Sequence, residues 1–170
     1  MAFSAVAVGV LLAGLAGEAL AETIREVQIG DTVVAYDADR FRMASRGADS
    51  LGVNCTGEDC WPGIGIGAMR SACGDPSGAM PPDDGARRTS GTSLSSDGRT
   101  FQLVRRDNGC RNWVAPSLYA CVEVGANAIK FSQIVIGCRH GPIARPDMTE
   151  FLTAIRLRPA APAAAPGTAQ

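Results

Sequence analysis

The 170-residue chain is poor in histidine, lysine and aromatic side chains, and these shortages narrow what it can do. Its single histidine excludes any site built from several imidazoles. Lys130 is the only lysine, and 16 basic residues face 17 acidic ones, so the net charge of −1 argues against a nucleic-acid-binding protein. Aromatic residues make up 5% of the chain, whereas 20 glycines and 10 prolines predict much turn and loop.

The N-terminal segment has the pattern of an export signal. Residues 2–17 carry no charge and are mostly Ala, Val, Leu and Gly, and the small residues Ala19 and Ala21 suit a signal peptidase. We therefore expect cleavage between Ala21 and Glu22 and a periplasmic or secreted mature chain, with no membrane span after processing. The signal and the preference for arginine over lysine suggest a bacterial source. No Lys or Arg precedes the apolar run, where the α-amino group is the only positive charge.

All the cysteines follow the predicted cleavage site. An even number of cysteines in an exported chain predicts a disulfide framework, whose connectivity the sequence alone does not choose. One close pair is spaced to form a small loop around four residues, Thr-Gly-Glu-Asp. No zinc site is expected, because this C-x4-C spacing is not followed by a second close pair. The predicted disulfide residues are Cys55, Cys60, Cys73, Cys110, Cys121 and Cys138.

Strand signals fill the first third of the mature chain. Residues 23–29 and 32–36 flank a Gly-Asp pair and predict a tight hairpin, because glycine supplies the positive φ of the turn. Residues 40–45 add a third strand of a meander, with Phe41 and Met43 on one face. A short strand is expected at 51–53. Residues 63–69 alternate glycine with apolar residues, which predicts a strand whose glycine face lies close to another backbone.

The second half combines strands with one helix. A strand at 100–104 precedes a turn at 107–109, and the strongest strand signals, 118–124 and 128–136, are joined by a three-residue loop. Leu118, Ala120, Val122 and Val124 share one face of the first of these two strands.

The helix signal begins at Asp147, which with Glu150 forms a predicted capping box. Arg156 and Arg158 are expected near the helix end, where the helix dipole favours cations. The predicted buried face consists of Met148, Phe151, Leu152 and Ile155.

These elements predict a single globular domain over residues 22–158. A mobile polar insert is expected near 74–98, and a disordered Pro/Ala-rich tail over 159–170. The expected fold is α+β: a small antiparallel sheet, made of the meander and the hairpin, with a C-terminal amphipathic helix and disulfide bonds. The alternative is a mostly β fold. The segments VVAYDADRFRM and FLTAIRL resemble PsbP/Mog1-like domains. That resemblance implies the α+β fold and no specific function.

Catalytic and cofactor signals are weak. His140 is the candidate general acid or base, with Glu123 or Asp107 as its partner, but nothing in the sequence indicates a nucleophile beside it. The glycine repeat at 63–67 lacks the Gly-Lys-Ser/Thr ending of a phosphate loop, and the acidic pairs lack calcium-loop spacing. No cofactor and no metal are therefore expected.

A binding function fits the remaining residues better. An arginine cluster beside an indole could grip an anionic partner such as a glycan acid or a phosphate. The favoured prediction is an exported, disulfide-stabilised binding or interaction protein of the cell envelope or secretome, with a protein or glycan partner. The alternative is a small secreted hydrolase that relies on His140 and a carboxylate. The candidate binding residues are Trp61, Arg105, Arg106, Arg111 and Trp113.

Overall fold

The computed structural model describes residues 23–57, 62–74, 87–109, 114–135 and 147–161, which fold into strands and one short helix. The elements in chain order are β1 (Ile24–Ile29), β2 (Thr32–Asp37), β3 (Phe41–Arg46), β4 (Ser50–Cys55), β5 (Ile64–Met69), β6 (Arg87–Leu94), β7 (Thr100–Gly109), β8 (Val114–Val124), β9 (Asn127–Gln133), α1 (Met148–Ala154) and β10 (Arg156–Pro159).

The described strands form two antiparallel sheets. A three-stranded sheet has the order β1-β2-β10, and a seven-stranded sheet has the order β3-β4-β5-β9-β8-β7-β6. The fold is thus mostly β, which is the alternative that the sequence left open. The α+β prediction is confirmed for antiparallel pairing and for the C-terminal helix, but the single small sheet is wrong. Within the described residues, no helix has the length and apolar character to cross a membrane.

The predicted first hairpin is confirmed. Ile29 pairs with Thr32 across the turn, and Gly30 has φ +52°, a conformation that an L side chain rarely adopts. The second strand is buried along its whole length and is the central strand of its sheet, between β1 and β10. The predicted three-strand meander is wrong, because β3 joins the larger sheet. Asp37 redirects the chain there: its Oδ1 accepts hydrogen bonds from the backbone N–H of Asp39 at 2.8 Å and Arg40 at 3.3 Å.

In the seven-stranded sheet, the alternating apolar positions of the sequence mark the strand faces that are buried. The predicted apolar face of β8 is buried in the core, and β4 and β5 confirm the shorter strand signals. The β8–β9 loop has two residues rather than three, because Val124 pairs with Asn127 and Gly125 takes φ +64°. The predicted turn at 107–109 is wrong. That segment continues β7, whose pairing with β8 extends to Gly109 opposite Val114.

The predicted mobile insert at 74–98 contains an edge strand, β6. It is paired with β7 from Arg87 opposite Asp107 to Leu94 opposite Thr100. Nearly all residues of β6 are exposed. Backbone hydrogen bonds to β7 hold the strand in place, so it needs few apolar side chains. Residues 75–86 lie outside the described residues.

The helix begins where the sequence predicts. The Asp147 side chain caps it by accepting hydrogen bonds from the N–H of Thr149 at 2.9 Å and Glu150 at 3.2 Å. The four predicted core positions are all buried. The helix ends at Ala154, however, so the expected interaction of arginines with its dipole is wrong. Both arginines belong to β10, where Arg158 pairs with Glu26 of β1 at 2.8 Å.

Phe151 of α1 joins the two sheets. Its ring centroid lies 6.1 Å from that of Tyr36 in the smaller sheet, and 4.8 Å and 6.4 Å from those of Phe41 and Phe131 in the larger sheet. All four residues are at most 1% exposed. Aromatic pairs at these separations contribute beyond the area that they bury. The helix therefore packs in the core between the two sheets.

A polar clamp ties the β6–β7 turn to β10. The Asp97 carboxylate accepts a hydrogen bond from Leu157 N at 3.0 Å and pairs with Arg99 Nε at 3.1 Å, while the same Nε donates to Leu157 O at 3.2 Å. Burial alone would raise the pKa of Asp97. Hydrogen bonds from Leu157, Ser95 and Arg99, together with the charge of Arg99, outweigh burial and lower it.

Truncation of Phe151 tests its central position. We expect Phe151→Ala to lower the free energy of unfolding by about 3–5 kcal/mol, because it leaves a cavity that borders both sheets. Chemical denaturation of the oxidised protein measures this loss. Thr153→Ala, on the exposed side of the same helix, is the control and should change stability by less than about 0.5 kcal/mol. Similar losses in both variants would contradict the assignment.

Candidate functional site

Several predicted site residues lie outside the described part of the chain. They are Trp61, Arg111, Trp113 and His140, together with Cys60, Cys110 and Cys138. The two carboxylates proposed as partners of His140 already have other contacts. Glu123 Oε1 accepts a hydrogen bond from Cys73 N at 3.4 Å, and Asp107 pairs with Arg105 Nε at 2.6 Å. Both the hydrolase hypothesis and the protein or glycan partner stay predictions.

Arg105 and Arg106 do not present one common surface. They are consecutive residues of β7, so their side chains point to opposite faces of the sheet. Arg105 is exposed, whereas Arg106 is 7% exposed and lies on the same face as Tyr119. The alternation of a strand therefore separates the two described members of the predicted arginine cluster.

The disulfide prediction is confirmed for the described cysteines. Cys73 and Cys121 form a disulfide with a Cα–Cα distance of 5.7 Å, and Cys55 is also disulfide-bonded. Both residues of the first bond are buried and pack against Ala128. This bond ties the segment after β5 to the face of β8 that points away from the core.

That face of the seven-stranded sheet carries a groove, which we call the outer-face groove. Ile64 and Ile66 of β5 point into the core, so the glycines that alternate with them lie on the opposite face and leave it bare. The groove has a volume of about 360 Å³. The residues whose side chains or bare Cα atoms define it are Gly65, Gly67, Tyr119, Lys130, Ser132 and Ile134.

Strand register assembles the groove from three strands. Across β8, β9 and β5, Tyr119 is opposite Ser132, which is opposite Gly65. In the adjacent row Lys130 is opposite Gly67. A Cβ atom at Gly67 would meet no atom within 4 Å, whereas one at Gly65 would lie 3.1 Å from Ser132 Oγ. Open space therefore lies above Gly67, directly beside the lysine.

Three polar side chains line this otherwise apolar groove. Among the described residues, none makes a hydrogen bond to the Lys130 ammonium, the Ser132 hydroxyl or the Tyr119 hydroxyl. Tyr119 is only 4% exposed. Its burial raises the pKa of its phenol, and the nearby charge of Arg106 only partly offsets this. The phenol is therefore a neutral donor at physiological pH.

The other cavities are more heterogeneous in charge. One of about 360 Å³ beside the Cys73–Cys121 disulfide is lined by both Arg99 and Glu123. A smaller cleft of about 250 Å³ at the end of α1 is lined by Asp37, Arg40 and Arg156. Ligand sites are typically apolar with a few convergent polar groups, so the outer-face groove is the better candidate. The predicted close approach of another backbone to the glycine face of this strand is wrong at Gly67, where an added Cβ would meet none of the described atoms within 4 Å.

Comparison with known proteins found no family model, no curated protein and no solved structure that matches the chain. The resemblance to PsbP/Mog1-like domains therefore stays a prediction. The candidate site rests on the geometry described above.

A pH titration tests the environment of Tyr119. The chain has two tyrosines, so the ultraviolet phenolate signal lost in Tyr119→Phe isolates this residue. We expect its midpoint above the ordinary value of about 10. The folded state then keeps the proton to a higher pH than the unfolded state, so this group makes stability fall as the pH rises past about 10. A midpoint at or below about 10 would contradict the described environment.

Proposed function

We propose that the protein is an exported, disulfide-stabilised binding protein of the cell envelope or secretome, and that its outer-face groove holds a small ligand. The observation that carries the proposal is an apolar groove into which a lysine and two hydroxyls point without a described partner. A few polar groups that converge on an apolar groove are typical of a ligand site, because they can orient a ligand that the apolar surface holds.

The geometry favours binding over catalysis. Ser132 and Lys130 lie two positions apart on one strand face, which separates their Cα atoms by about 7 Å, and no hydrogen bond joins their side chains. The serine therefore has no adjacent base to activate it. The described lining residues include no carboxylate and no imidazole that would take this part.

Export is supported by the N-terminal pattern and by the oxidised cysteines. Residues 2–17 have the composition of a signal segment. Disulfides such as Cys73–Cys121 form and persist mainly in oxidising compartments. A bond of this kind contributes about 2–4 kcal/mol, which is a large fraction of the stability of a small domain.

Processing and oxidation can be tested together. When the full chain is expressed in a bacterial host with an oxidising periplasm, we expect a mature form that begins at Glu22, with every cysteine in a disulfide. Intact-mass measurement before and after reduction determines both properties. Cys73→Ala/Cys121→Ala is the matched control and should lose the mass shift of one disulfide. A product that keeps residues 1–21 and has free thiols in the cytoplasm would overturn the export proposal.

Blocking the groove tests the binding proposal. We expect at least one of four probes, phenol, indole, 2-naphthylamine and 2-naphthoate, to shift the amide NMR signals of Gly65, Gly67 and Lys130. Gly67→Phe should abolish these shifts, because its side chain fills the open space above β5. Gly91→Phe is the matched control, because the added Cβ also meets nothing within 4 Å but lies on the edge strand β6. The binding proposal would be overturned if all four probes failed to shift these signals, or if binding were unchanged in Gly67→Phe.

A further inference from the structure

We infer that the ligand of the outer-face groove is a small flat aromatic acid, which lies on the glycine floor and directs its single anionic group to Lys130. This inference rests on the proposed binding function and deepens it by assigning the chemical class of the ligand.

The floor of the groove favours a flat molecule. Gly67 leaves the backbone of β5 uncovered, and Gly65 adds no side chain beneath the Ser132 hydroxyl, so a planar ring system can lie against the peptide groups around Gly67 at van der Waals distance. Tyr119 and Ile134 supply apolar surface beside this floor, and the Ile134 side chain is 43% exposed. A volume of about 360 Å³ is near the lower end of the range for ligand pockets, roughly 300–1,000 Å³. A space of this volume holds an aromatic molecule of one ring or of two fused rings.

The charge in the groove favours an anion. Lys130 is half-buried and makes no hydrogen bond or ion pair with the described residues. The acidic residue nearest to it in strand register is Glu123, opposite Ala128, and the Glu123 carboxylate is oriented to the backbone N–H of Cys73. A ligand anion would therefore meet a positive potential that the described lining residues do not neutralise.

The two hydroxyls of the groove favour a hydrogen-bond acceptor on the ligand in addition to its anionic group. Tyr119 and Ser132 face each other across β8 and β9, and both hydroxyls are able to donate a hydrogen bond. Ser132 lies about 7 Å from Lys130 along the strand, which is close to the length of a two-ring aromatic system. Together the three groups supply more donors than acceptors. They suit a molecule with a carboxylate at one end and an oxygen acceptor at the other.

The groove does not suit the other ligand types equally well. A cation would be repelled by Lys130 and would find no carboxylate among the described lining residues. A bulky, rounded hydrocarbon would contact the flat floor with only part of its surface, and it would leave the three donors without partners. The probes below separate an acid from a neutral amide and a flat molecule from a rounded one.

Three probes separate charge from shape. We expect 2-naphthoate to bind the oxidised full-length mature protein at least about fivefold more tightly than its neutral counterpart 2-naphthamide, because only the acid accepts a charge-assisted bond from Lys130. We also expect 1-adamantanecarboxylate, which has the same charge but a rounded shape, to bind more weakly than 2-naphthoate. The readout is the dissociation constant from calorimetry, with NMR shifts at Gly65 and Gly67 to place each probe in the groove.

Two substitutions at one position isolate the charge. In Lys130→Gln, the preference for 2-naphthoate over 2-naphthamide should fall to less than about twofold, because the charge-assisted bond is lost. In Lys130→Arg, which keeps the positive charge, the preference should remain. The preference should also decline with added salt, because a partly exposed ion pair is screened.

The outcomes distinguish this inference from the proposed function. If 2-naphthamide binds in the groove as tightly as 2-naphthoate, or if Lys130→Gln keeps the preference, the acid assignment is overturned while the binding proposal stands. If 1-adamantanecarboxylate matches 2-naphthoate, the flat shape is overturned. If 2-naphthoate, phenol, indole and 2-naphthylamine all fail to shift the groove signals, the binding function itself is overturned.

Discussion

The burial of Phe151 between the two sheets is the constraint on which the rest of the structure depends. The three-stranded sheet has few residues with which to cover its own apolar face, and the seven-stranded sheet must cover a much larger one. A helix of seven residues fills the space between them, and its phenyl ring contacts aromatic residues of both sheets. The hydrogen bonds of Asp97 and Arg99 to Leu157 hold β10 directly after the helix, and so they fix the C-terminal end of the helix between the two sheets.

The same constraint determines the character of the opposite sheet face. Because successive strand residues point to opposite sides, the large apolar side chains that enter the core leave the remaining positions for the outer face. In β5 this gives isoleucines inside and glycines outside. The floor of the outer-face groove is bare because glycine occupies these outer positions of β5. Tyr119 and Lys130 occupy the same outer positions on β8 and β9 and become its walls.

Local patterns in the sequence predict local structure well in this protein. They do not predict which of the two sheets each strand joins. The buried helix face, the Asp147 cap and the Gly30 turn each depend on neighbouring residues, and the structure confirms them. The placement of β3 depends on a turn at Asp37 and on pairing with a later strand, which alternation does not reveal. The polar strand β6 was missed because it is held by its backbone. The groove was missed because Gly67 and Lys130 meet only through the register of β5 and β9.

The disulfide and the groove are connected by this register. Cys121 lies opposite Lys130, between Tyr119 and Glu123 on the same face of β8, and its partner Cys73 follows the glycine strand that forms the groove floor. The covalent bond therefore ties the segment that follows the floor strand to the strand that supplies a wall. Strand β5 is itself held on both edges by pairing with β4 and β9, so the disulfide adds a covalent anchor directly after a strand that the sheet already fixes.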